Sequence, residues 1–295
     1  MFVRPGDGCS IIAPAAQLRG ADAGLLDAAV SLLESWGLRV TVRVEHSHHF
    51  YLAGTDAARA DHLIAALTDP DTNAIFCTRG GYGSPRLLAH LAPDLSPGPK
   101  VLVGYSDITA LHLAAARLWP QVSLVHGPNL ATREILGTGP VCVRNRLSLH
   151  RALFDPAYVV DETVEFLVPG SAEGNLVGGC LSLVASMLGT RFALSTEDVI
   201  LFLEDVGEAP YRIDRMLTQL RNAGAFAGVR GVVFGAMRNC KDAYNDVRDV
   251  IRDVLGGYTF PIAFGLESGH SETNLSLRLG AHAQLDGTRG RFHLF

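Results

Sequence analysis

The sequence predicts an α/β fold with an N-terminal domain built on a doubly wound parallel sheet and a C-terminal mixed α/β domain rich in short strands. Over residues 9–128, short apolar runs alternate with amphipathic helical patterns, and strands that alternate with helices in this way pair in parallel. The second half lacks this clean alternation. We therefore predict an N-terminal domain over residues 1–150, a connection over 151–170 and a C-terminal domain over 171–295.

The elements of the N-terminal half follow from local patterns. Apolar or alternating runs predict strands at 9–13, 38–44, 74–78, 101–103 and 122–125. Apolar residues at helical spacing predict helices at 25–36, 55–67, 84–91 and 108–118. Thr55 and Ser84 are suitable N-caps, and Pro85 suits the first position of a helix. The carboxyl ends of the strands should gather along one edge of the sheet, where α/β proteins bind ligands.

The C-terminal half mixes both kinds of element. Residues 143–154 have a helical pattern, and residues 159–168 have strand-like character. Farther on, a glycine pair opens a buried helix, an apolar strand runs into a helix that begins at Pro210, and the segment GVVFGAM predicts another strand. Residues 262–295 should form short strands and turns with little helix.

Composition limits the classes of function. The formal net charge of −5 comes from interspersed charges, so the chain has no basic footprint for nucleic acid. The five cysteines are widely spaced and include no C-x-x-C, which argues against a disulfide framework or a cysteine zinc site and favours a reducing compartment. No run of about 18 apolar residues occurs, and the N-terminus lacks a signal-peptide core. We expect a cytoplasmic protein that binds neither nucleic acid nor a membrane.

Ser106 lies where a buried strand turns sharply into a helix. The apolar run 101–103 stops at Gly104, and the helical pattern begins just after Ser106. A hydroxyl on such a turn faces a crevice beside helix N-terminal N–H groups, which suits a nucleophile that generates an oxyanion. Serine is also a preferred helix cap, and this simpler interpretation stays open on local grounds. Because Ile108 stands where G-x-S-x-G has its second glycine, an ordinary α/β-hydrolase elbow is not supported.

A glycine-rich loop follows the third predicted strand. Three glycines surround Tyr82 in the segment RGGYG at residues 79–83, and such a loop exposes backbone N–H groups to an anion or an oxyanion. A tight turn without a ligand is the alternative. Neither G-x-G-x-x-G nor the P-loop pattern is present, which disfavours a nucleotide site.

Carboxylates and histidines supply further candidates. Glu204 and Asp205 end an apolar strand, where an acid can orient a histidine or bind a metal, or can simply be solvated. His270 lies in a polar loop. The histidines at residues 46–49 lack the spacing that would fix a metal's geometry, so we interpret them as a surface loop.

Seven motifs follow one another along nearly the whole chain. They are YLAGTD at 51–56, CTRGGYG at 77–83, GYSDITAL at 104–111, HGP at 126–128, GGCLSL at 178–183, LEDVGEAPYRIDRML at 203–217 and GHSETNLSLRLG at 269–280. In this combination and order they resemble the LD-carboxypeptidases, or muramoyltetrapeptide carboxypeptidases, which are serine peptidases of bacterial peptidoglycan recycling. Two positions depart from the family's pattern: Cys180 stands where asparagine is usual, and Arg278 stands where proline is common.

The resemblance implies a catalytic triad, with Ser106 as nucleophile, Glu204 as the carboxylate and His270 as the histidine. It also implies that the nucleophile belongs to the N-terminal domain and its two partners to the C-terminal domain. The implied enzyme is a homodimer that uses no metal or other cofactor. The implied reaction releases the terminal D-alanine of a murein tetrapeptide through an acyl-enzyme.

Three further roles complete the expected site. The backbone N–H groups of Gly81 and Asp107 are candidates for the oxyanion hole. Arg79 is a candidate for binding the substrate's terminal carboxylate, since a guanidinium fork suits that group best.

Two rival functions stay open: a related microcin C immunity peptidase acting on a peptidyl-nucleotide, and a non-catalytic α/β ligand-binding module.

Overall fold

The structure is a computed structural model that describes residues 1–18, 22, 24–45, 49–92 and 94–295. His46 and His48 of the predicted histidine loop lie outside the described residues. The chain divides into two compact units, Met1–Pro156 and Ala157–Phe295. The segment 151–170, predicted as a connection, carries the end of a helix in the first unit and two strands in the second.

The first unit contains a parallel sheet. Its strands are β1 (Gly8–Ile12), β2 (Arg39–Arg43), β3 (Thr72–Cys77), β4 (Lys100–Gly104) and β5 (Val122–His126). Its α-helices are α1 (Leu25–Ser35), α2 (Asp56–Thr68), α3 (Ser84–Leu87), α4 (Thr109–Leu118), α5 (Arg133–Leu136) and α6 (Pro140–Phe154). Short 3₁₀ turns lie at Leu88–His90 and Ser106–Ile108. The strands pair in parallel in the order β5-β4-β3-β1-β2.

Apolar strands form the core of the first unit. Every residue of β1 and β4 is buried, and so are the first seven residues of α4. Full burial of each leucine or isoleucine side chain contributes about 1.5–3 kcal/mol. Strand β2 lies at the edge and is largely exposed. Because β3, β4 and β5 are adjacent and parallel, the loops that follow them emerge side by side at one edge of the sheet.

The second unit contains a mixed sheet. Its strands are β6 (Val160–Thr163), β7 (Glu165–Val168), β8 (Ser171–Cys180), β9 (Val199–Val206), β10 (Val229–Arg238), β11 (Ile262–Phe264), β12 (Leu277–Leu279), β13 (His282–Asp286) and β14 (Arg291–Leu294). Its helices are α7 (Leu181–Ser186), α8 (Pro210–Asn222) and α9 (Val247–Leu255). The mixed sheet consists of eight of these strands, which pair in the order β6-β14-β13-β8-β9-β10-β11-β7, and β12 is not one of them.

The centre of this mixed sheet is parallel and its flanks are antiparallel. Strands β8 to β11 pair in parallel, whereas β7, β13, β14 and β6 join in antiparallel register. The apolar run VILFL is entirely buried in the central strand β9, as expected where both faces of a parallel sheet are covered. The predicted fold class is confirmed. Across the described part of the chain, no helix is both long and apolar enough to cross a membrane.

Candidate active site

Ser106 occupies the turn between β4 and α4 in a strained backbone conformation. Its φ is +64°, in the left-handed region that residues other than glycine rarely adopt. The N-cap positions of the 3₁₀ turn and of α4 are Tyr105 and Ile108, so the interpretation of Ser106 as a simple helix cap is wrong. Such a conformation costs about 1–3 kcal/mol and persists only where the surrounding structure fixes it.

The glycine loop at 79–83 packs directly against Ser106. A Cβ on Gly80 would lie 2.8 Å from the Cβ of Ser106 and 3.1 Å from its Oγ. Gly81 has a φ of +100°, and a Cβ there would lie 2.7 Å from the Cβ of Ala16. The N–H of Ala16 donates to the carbonyl oxygen of Gly80 at 3.2 Å. Only glycine fits at these two positions without a shift of the neighbouring atoms.

Asp107 connects the serine turn to the end of the glycine loop. Its buried carboxylate oxygen Oδ2 accepts the backbone N–H of Ser84 at 2.7 Å, and the Ser84 hydroxyl donates to the Asp107 carbonyl oxygen. Burial raises the pKa of the Asp107 carboxyl, and the hydrogen bonds from Ser84 oppose that shift. Ser84 was predicted as the cap of its helix, but the cap is Gly83 and Ser84 is the first residue of α3.

Arg59 is a buried residue of α2 that the sequence analysis did not single out. Its exposed fraction is only 1%. The guanidinium donates to the carbonyl oxygens of Pro14 and, at 3.0 Å, of Gly83, and it pairs with Asp56 at 2.5 Å. It therefore holds the carbonyl at the end of the glycine loop. No local pattern marks this role, because a charged residue on an amphipathic helix is equally compatible with a solvated face.

Asn129 is a second residue that the sequence analysis did not single out. Its buried side-chain amide accepts the Tyr105 N–H at 3.3 Å and donates to the Tyr105 carbonyl oxygen at 3.4 Å. The Tyr105 hydroxyl donates to Glu134 at 2.8 Å. These contacts fix the residue just before the strained serine. The available signal was position, because Asn129 directly follows the HGP motif at the end of β5.

Glu204 and His270 form a hydrogen-bonded pair in the second unit. Glu204 lies in β9 with an exposed fraction of 0%, and its Oε2 is 2.6 Å from His270 Nδ1 and accepts the His270 backbone N–H at 3.1 Å. Gly269 has a φ of +98°, and a Cβ there would lie 2.5 Å from the same Oε2. The glycine therefore lets the histidine loop approach the carboxylate. An imidazole that donates from Nδ1 to a carboxylate has Nε2 as its basic nitrogen.

Asp205 is buried beside this pair but makes different contacts. Its Oδ2 accepts the N–H of Ser182, near the start of α7, and its Oδ1 accepts the N–H of Val206, both at 2.8 Å. Burial raises its pKa to about 6, and the carboxylates of Glu204 and Glu208 add to the shift. Asp205 thus fixes the β8–α7 turn rather than the histidine.

The two positions that depart from the family's pattern are both in contact with neighbours in the second unit. The Cα of Cys180 lies opposite that of Glu204 in the sheet register, and its Sγ is 3.2 Å from the Ser182 hydroxyl. Burial, aided by nearby carboxylates, raises the pKa of this thiol well above its ordinary value. The Arg278 guanidinium lies 5.4 Å from the centre of the Tyr158 ring, within the range of a cation–π contact.

Arg79 makes weak contacts at the surface of the first unit. Its Nη1 donates to the Gln17 carbonyl oxygen at 3.3 Å and is 3.6 Å from an Asp22 carboxylate oxygen. The Arg79 and Asp22 side chains are 37% and 36% exposed, and ion pairs of this kind contribute at most about 1 kcal/mol. The guanidinium can therefore exchange Asp22 for another carboxylate at little cost. Among the described residues, no group of three or more histidine, cysteine or acidic side chains could hold a metal ion.

Comparisons with protein families match both halves of the chain. The model of the LD-carboxypeptidase N-terminal domain matches residues 9–127, and that of the LD-carboxypeptidase C-terminal domain matches residues 173–285. A protein of Streptomyces coelicolor that bears a carboxypeptidase name is 39% identical over 98% of this chain and 94% of its own. The murein tetrapeptide carboxypeptidase of Pseudomonas aeruginosa is 31% identical over 98% of this chain and 96% of its own.

Solved structures match the whole fold. The muramoyltetrapeptide carboxypeptidase from Oxalobacter formigenes has a TM-score of 0.86 and 28% identity, with 97% of each chain covered. The microcin C7 self immunity protein has a TM-score of 0.89 and 22% identity, with 99% of this chain and 97% of that one covered. The second likeness is therefore one of fold alone.

Fold and comparisons together define an enzyme of the serine carboxypeptidase class. The non-catalytic binding module is thereby set aside. The chain belongs to the LD-carboxypeptidase family, as its motifs predicted. Of the site residues expected from sequence, the first unit carries Arg79, Gly81, Ser106 and Asp107, and the second unit pairs Glu204 with His270.

Proposed function

We propose that this enzyme releases the terminal D-alanine from murein tetrapeptides, with Ser106, His270 and Glu204 as its catalytic triad. The observation that carries the proposal is the 2.6 Å contact between His270 Nδ1 and the buried carboxylate of Glu204. A carboxylate in that position orients the imidazole and stabilises its charged form. The strained serine supports the choice of nucleophile, and the relatives named for murein peptides support the substrate.

In the proposed reaction, His270 Nε2 removes the proton of the Ser106 hydroxyl as its oxygen attacks the carbonyl carbon of the last peptide bond. The resulting imidazolium then gives that proton to the nitrogen of D-alanine, which leaves, and the acyl-enzyme remains. Water attacks the ester with the same histidine as base, which frees the tripeptide and restores Ser106. Glu204 keeps the imidazole in one tautomer throughout.

The oxyanion of each tetrahedral intermediate would be bound by the backbone N–H groups of Gly81 and Asp107. Support comes from the contact of the glycine loop with Ser106, since Gly80 packs against the serine Cβ. Each such donor contributes about 3 kcal/mol of barrier reduction. The proposed partner of the substrate's terminal carboxylate is Arg79, which would leave its surface pair with Asp22.

The decisive experiment offers the purified protein a murein tetrapeptide and three matched analogues, and follows the products by mass. The analogues are the epimer that ends in L-alanine, the tetrapeptide with an amidated terminus, and the pentapeptide. We expect release of D-alanine from the tetrapeptide and weaker turnover of the epimer and the amide, because a displaced or uncharged terminus leaves a cationic partner unpaired at a cost of about 1–3 kcal/mol. Preferential cleavage of the L-alanine epimer would indicate an ordinary peptidase instead.

A second candidate is a peptidase of the microcin immunity type, acting on a peptidyl-nucleotide. It is favoured by the whole-chain likeness to the microcin C7 self immunity protein, although at 22% identity this concerns the fold. The same assay with an aminoacyl-nucleotide tests it. Turnover of that compound by a protein that leaves the tetrapeptide intact would replace the murein assignment.

The proposal extends to the setting of the reaction. A cytoplasmic enzyme meets imported soluble wall fragments rather than cross-linked wall, so a short free peptide is the expected substrate. We further propose that the enzyme acts as a homodimer. Sedimentation velocity over a range of protein concentrations tests this, and a purely monomeric profile at assay concentration would contradict it.

A further inference from the structure

The serine turn and the glycine loop are joined by a reciprocal pair of hydrogen bonds. The backbone N–H of Ser84 donates to Oδ2 of Asp107 at 2.7 Å, while the Ser84 hydroxyl donates to the carbonyl oxygen of Asp107. The exposed fractions of Ser84 and Asp107 are 0% and 1%. Main chain and side chain of each residue thus contact the other residue, which fixes both the distance and the relative rotation of the two segments.

The two joined segments are those that carry the candidate oxyanion donors. The N–H of Asp107 belongs to the serine turn, and the N–H of Gly81 lies three residues before Ser84 in the other segment. Donors of an oxyanion hole act through their mutual placement, and a misplacement of about 1 Å lowers catalysis about 100-fold. The two loops follow different strands, so the chain connectivity alone does not fix the distance between the two N–H groups.

We propose that the Asp107 side chain and the Ser84 hydroxyl are positioning groups that set the spacing of the two oxyanion donors. This inference rests on the proposed function only for the role of Gly81 and Asp107 as donors. The pair acts through the backbone it holds, and neither side chain touches substrate.

Arg59 also contacts the segment that the Ser84–Asp107 pair holds in place. Burial raises the pKa of the Asp107 carboxyl, and the Arg59 guanidinium acts in the opposite direction. Arg59 also holds the Gly83 carbonyl oxygen at 3.0 Å, one residue before Ser84. The end of the glycine loop is therefore fixed from both sides, by Asp107 through Ser84 and by Arg59 through Gly83. Loss of the Asp107 contacts would leave the loop held at one side only.

A purely structural role would make the same contacts, so the test needs a matched control. Ser10 lies in β1 of the same unit, is fully buried and shares a hydrogen bond of 2.9 Å with the Thr72 hydroxyl. Ser10→Ala and Ser84→Ala each remove one buried hydroxyl. The Ser10 hydroxyl also accepts the Arg43 Nε–H at 3.2 Å, so the control loses at least as much hydrogen bonding as Ser84→Ala does. Only Ser84→Ala touches the serine turn.

The readout is phosphonylation of Ser106 by a fluorophosphonate, in which the serine oxygen bonds to phosphorus, fluoride leaves and the hydroxyl proton passes to a base. The phosphoryl oxygen occupies the oxyanion position, so the first-order rate constant at saturation reports on the donors. Ser84→Ala should lower that constant about 10- to 100-fold and change the half-saturating concentration less than about twofold. Ser10→Ala should react at the wild-type rate despite a similar loss in melting temperature.

A second pair of variants keeps the test independent of folding defects. Asp107→Asn retains a carbonyl oxygen that can accept the Ser84 N–H, so it should react at least about 10-fold faster than Asp107→Ala. Equal rates for these two variants, or a wild-type rate for folded Ser84→Ala, would overturn the proposal. A wild-type protein that is phosphonylated but leaves the tetrapeptide intact would instead overturn the proposed substrate, and the comparison of variants would still decide the present inference.

Discussion

The two units share one local hydrogen-bonding arrangement, but the candidate catalytic residues beside it differ. In each, a candidate catalytic residue is followed directly by a buried aspartate that accepts a serine N–H near the start of a helix. Asp107 accepts from Ser84 at 2.7 Å in the first unit, and Asp205 accepts from Ser182 at 2.8 Å in the second. Burial raises the pKa of both aspartates. In each unit the aspartate thus anchors a turn directly after a candidate catalytic residue.

The two units differ in what their contacts constrain, which is the backbone conformation in the first unit and the protonated nitrogen of a histidine in the second. Ser106 has a left-handed backbone with Gly80 against its side chain, so the first unit determines the path of the main chain. Glu204 lies in strand β9, and its side chain holds His270 by two hydrogen bonds. The second unit therefore determines where a proton resides. Backbone shape should govern the effects of substitutions in the first unit, and proton position should govern those in the second.

The largest effect is expected when either partner in proton transfer is removed. Ser106→Ala and His270→Ala should each lower kcat about 10⁴-fold or more. The double variant should be little worse than either single variant, because both residues would serve the same proton transfer. Steady-state kcat with the tetrapeptide measures this. Losses that multiply would contradict a shared triad across the two units.

Glu204→Gln tests the second unit alone. The amide has the same shape as the carboxylate, but its NH₂ group can face His270 Nδ1 and stabilise the wrong tautomer, so kcat should fall about 10³- to 10⁴-fold in a protein that still folds. Kinetics together with circular dichroism check the two parts of this expectation. Retention of a tenth of the wild-type kcat would show that proton position is not what this unit determines.

Gly80→Ala tests the first unit in the matching way. The added Cβ would lie 2.8 Å from that of Ser106, so the turn must shift and phosphonylation should slow about 10- to 100-fold. Gly98→Ala is the control, because nothing lies within 4 Å of a Cβ at Gly98. Equal rates for the two variants would remove backbone shape as the distinguishing property of the first unit.

Asp205→Asn separates the anchoring aspartate from the pair beside it. With its pKa raised from 3.8 to about 6, the folded protein binds this proton more tightly than the unfolded chain does. The free energy of unfolding should therefore be greatest, as far as Asp205 is concerned, below about pH 4, and should fall by about 3 kcal/mol as pH rises through 6. Asparagine cannot titrate, so the variant should lack that decline. Urea unfolding at several pH values from 4 to 8 measures it, and parallel profiles for the two proteins would refute the assignment.

The smallest effect is expected from Arg79→Ala. Because its ion pair with Asp22 is exposed, the stability should change by less than about 1 kcal/mol. KM for the tetrapeptide should rise a few-fold, while KM for the amidated tetrapeptide should not change, since only the free terminus carries a charge. Equal shifts in KM for both substrates would exclude recognition of the carboxylate by Arg79.

Sequence patterns predicted the first unit in more detail than the second. Each of its strands coincides with an uninterrupted apolar or alternating run, and the helices between the strands indicate parallel pairing. The strand-to-helix turn at Ser106 could therefore be predicted from the local pattern. In the second unit, β6 pairs with β14 and β7 pairs with β11 across long stretches of chain. Such pairings depend on which distant edges are free, and local periodicity contains no information about that.

The same distinction applies to the site. Motifs led to Glu204 and His270 because both lie at the end of a recognisable strand or in a glycine-containing loop. They did not lead to Arg59, Asn129 or the hydroxyl of Ser84, whose hydrogen bonds all go to backbone groups brought close by folding. Residues that act through another segment's backbone have no characteristic spacing within their own.

The contact of Gly80 with Ser106 also restricts how this chain can diverge. A Cβ at position 80 would lie too close to the side chain of the left-handed Ser106, so Gly80 can be replaced only if the serine turn shifts. Drift of a gene copy towards a role that does not need Ser106 would remove this constraint. In a set of descendants, loss of that glycine should therefore accompany loss of the serine, whereas loss of the serine alone leaves the glycine sterically acceptable.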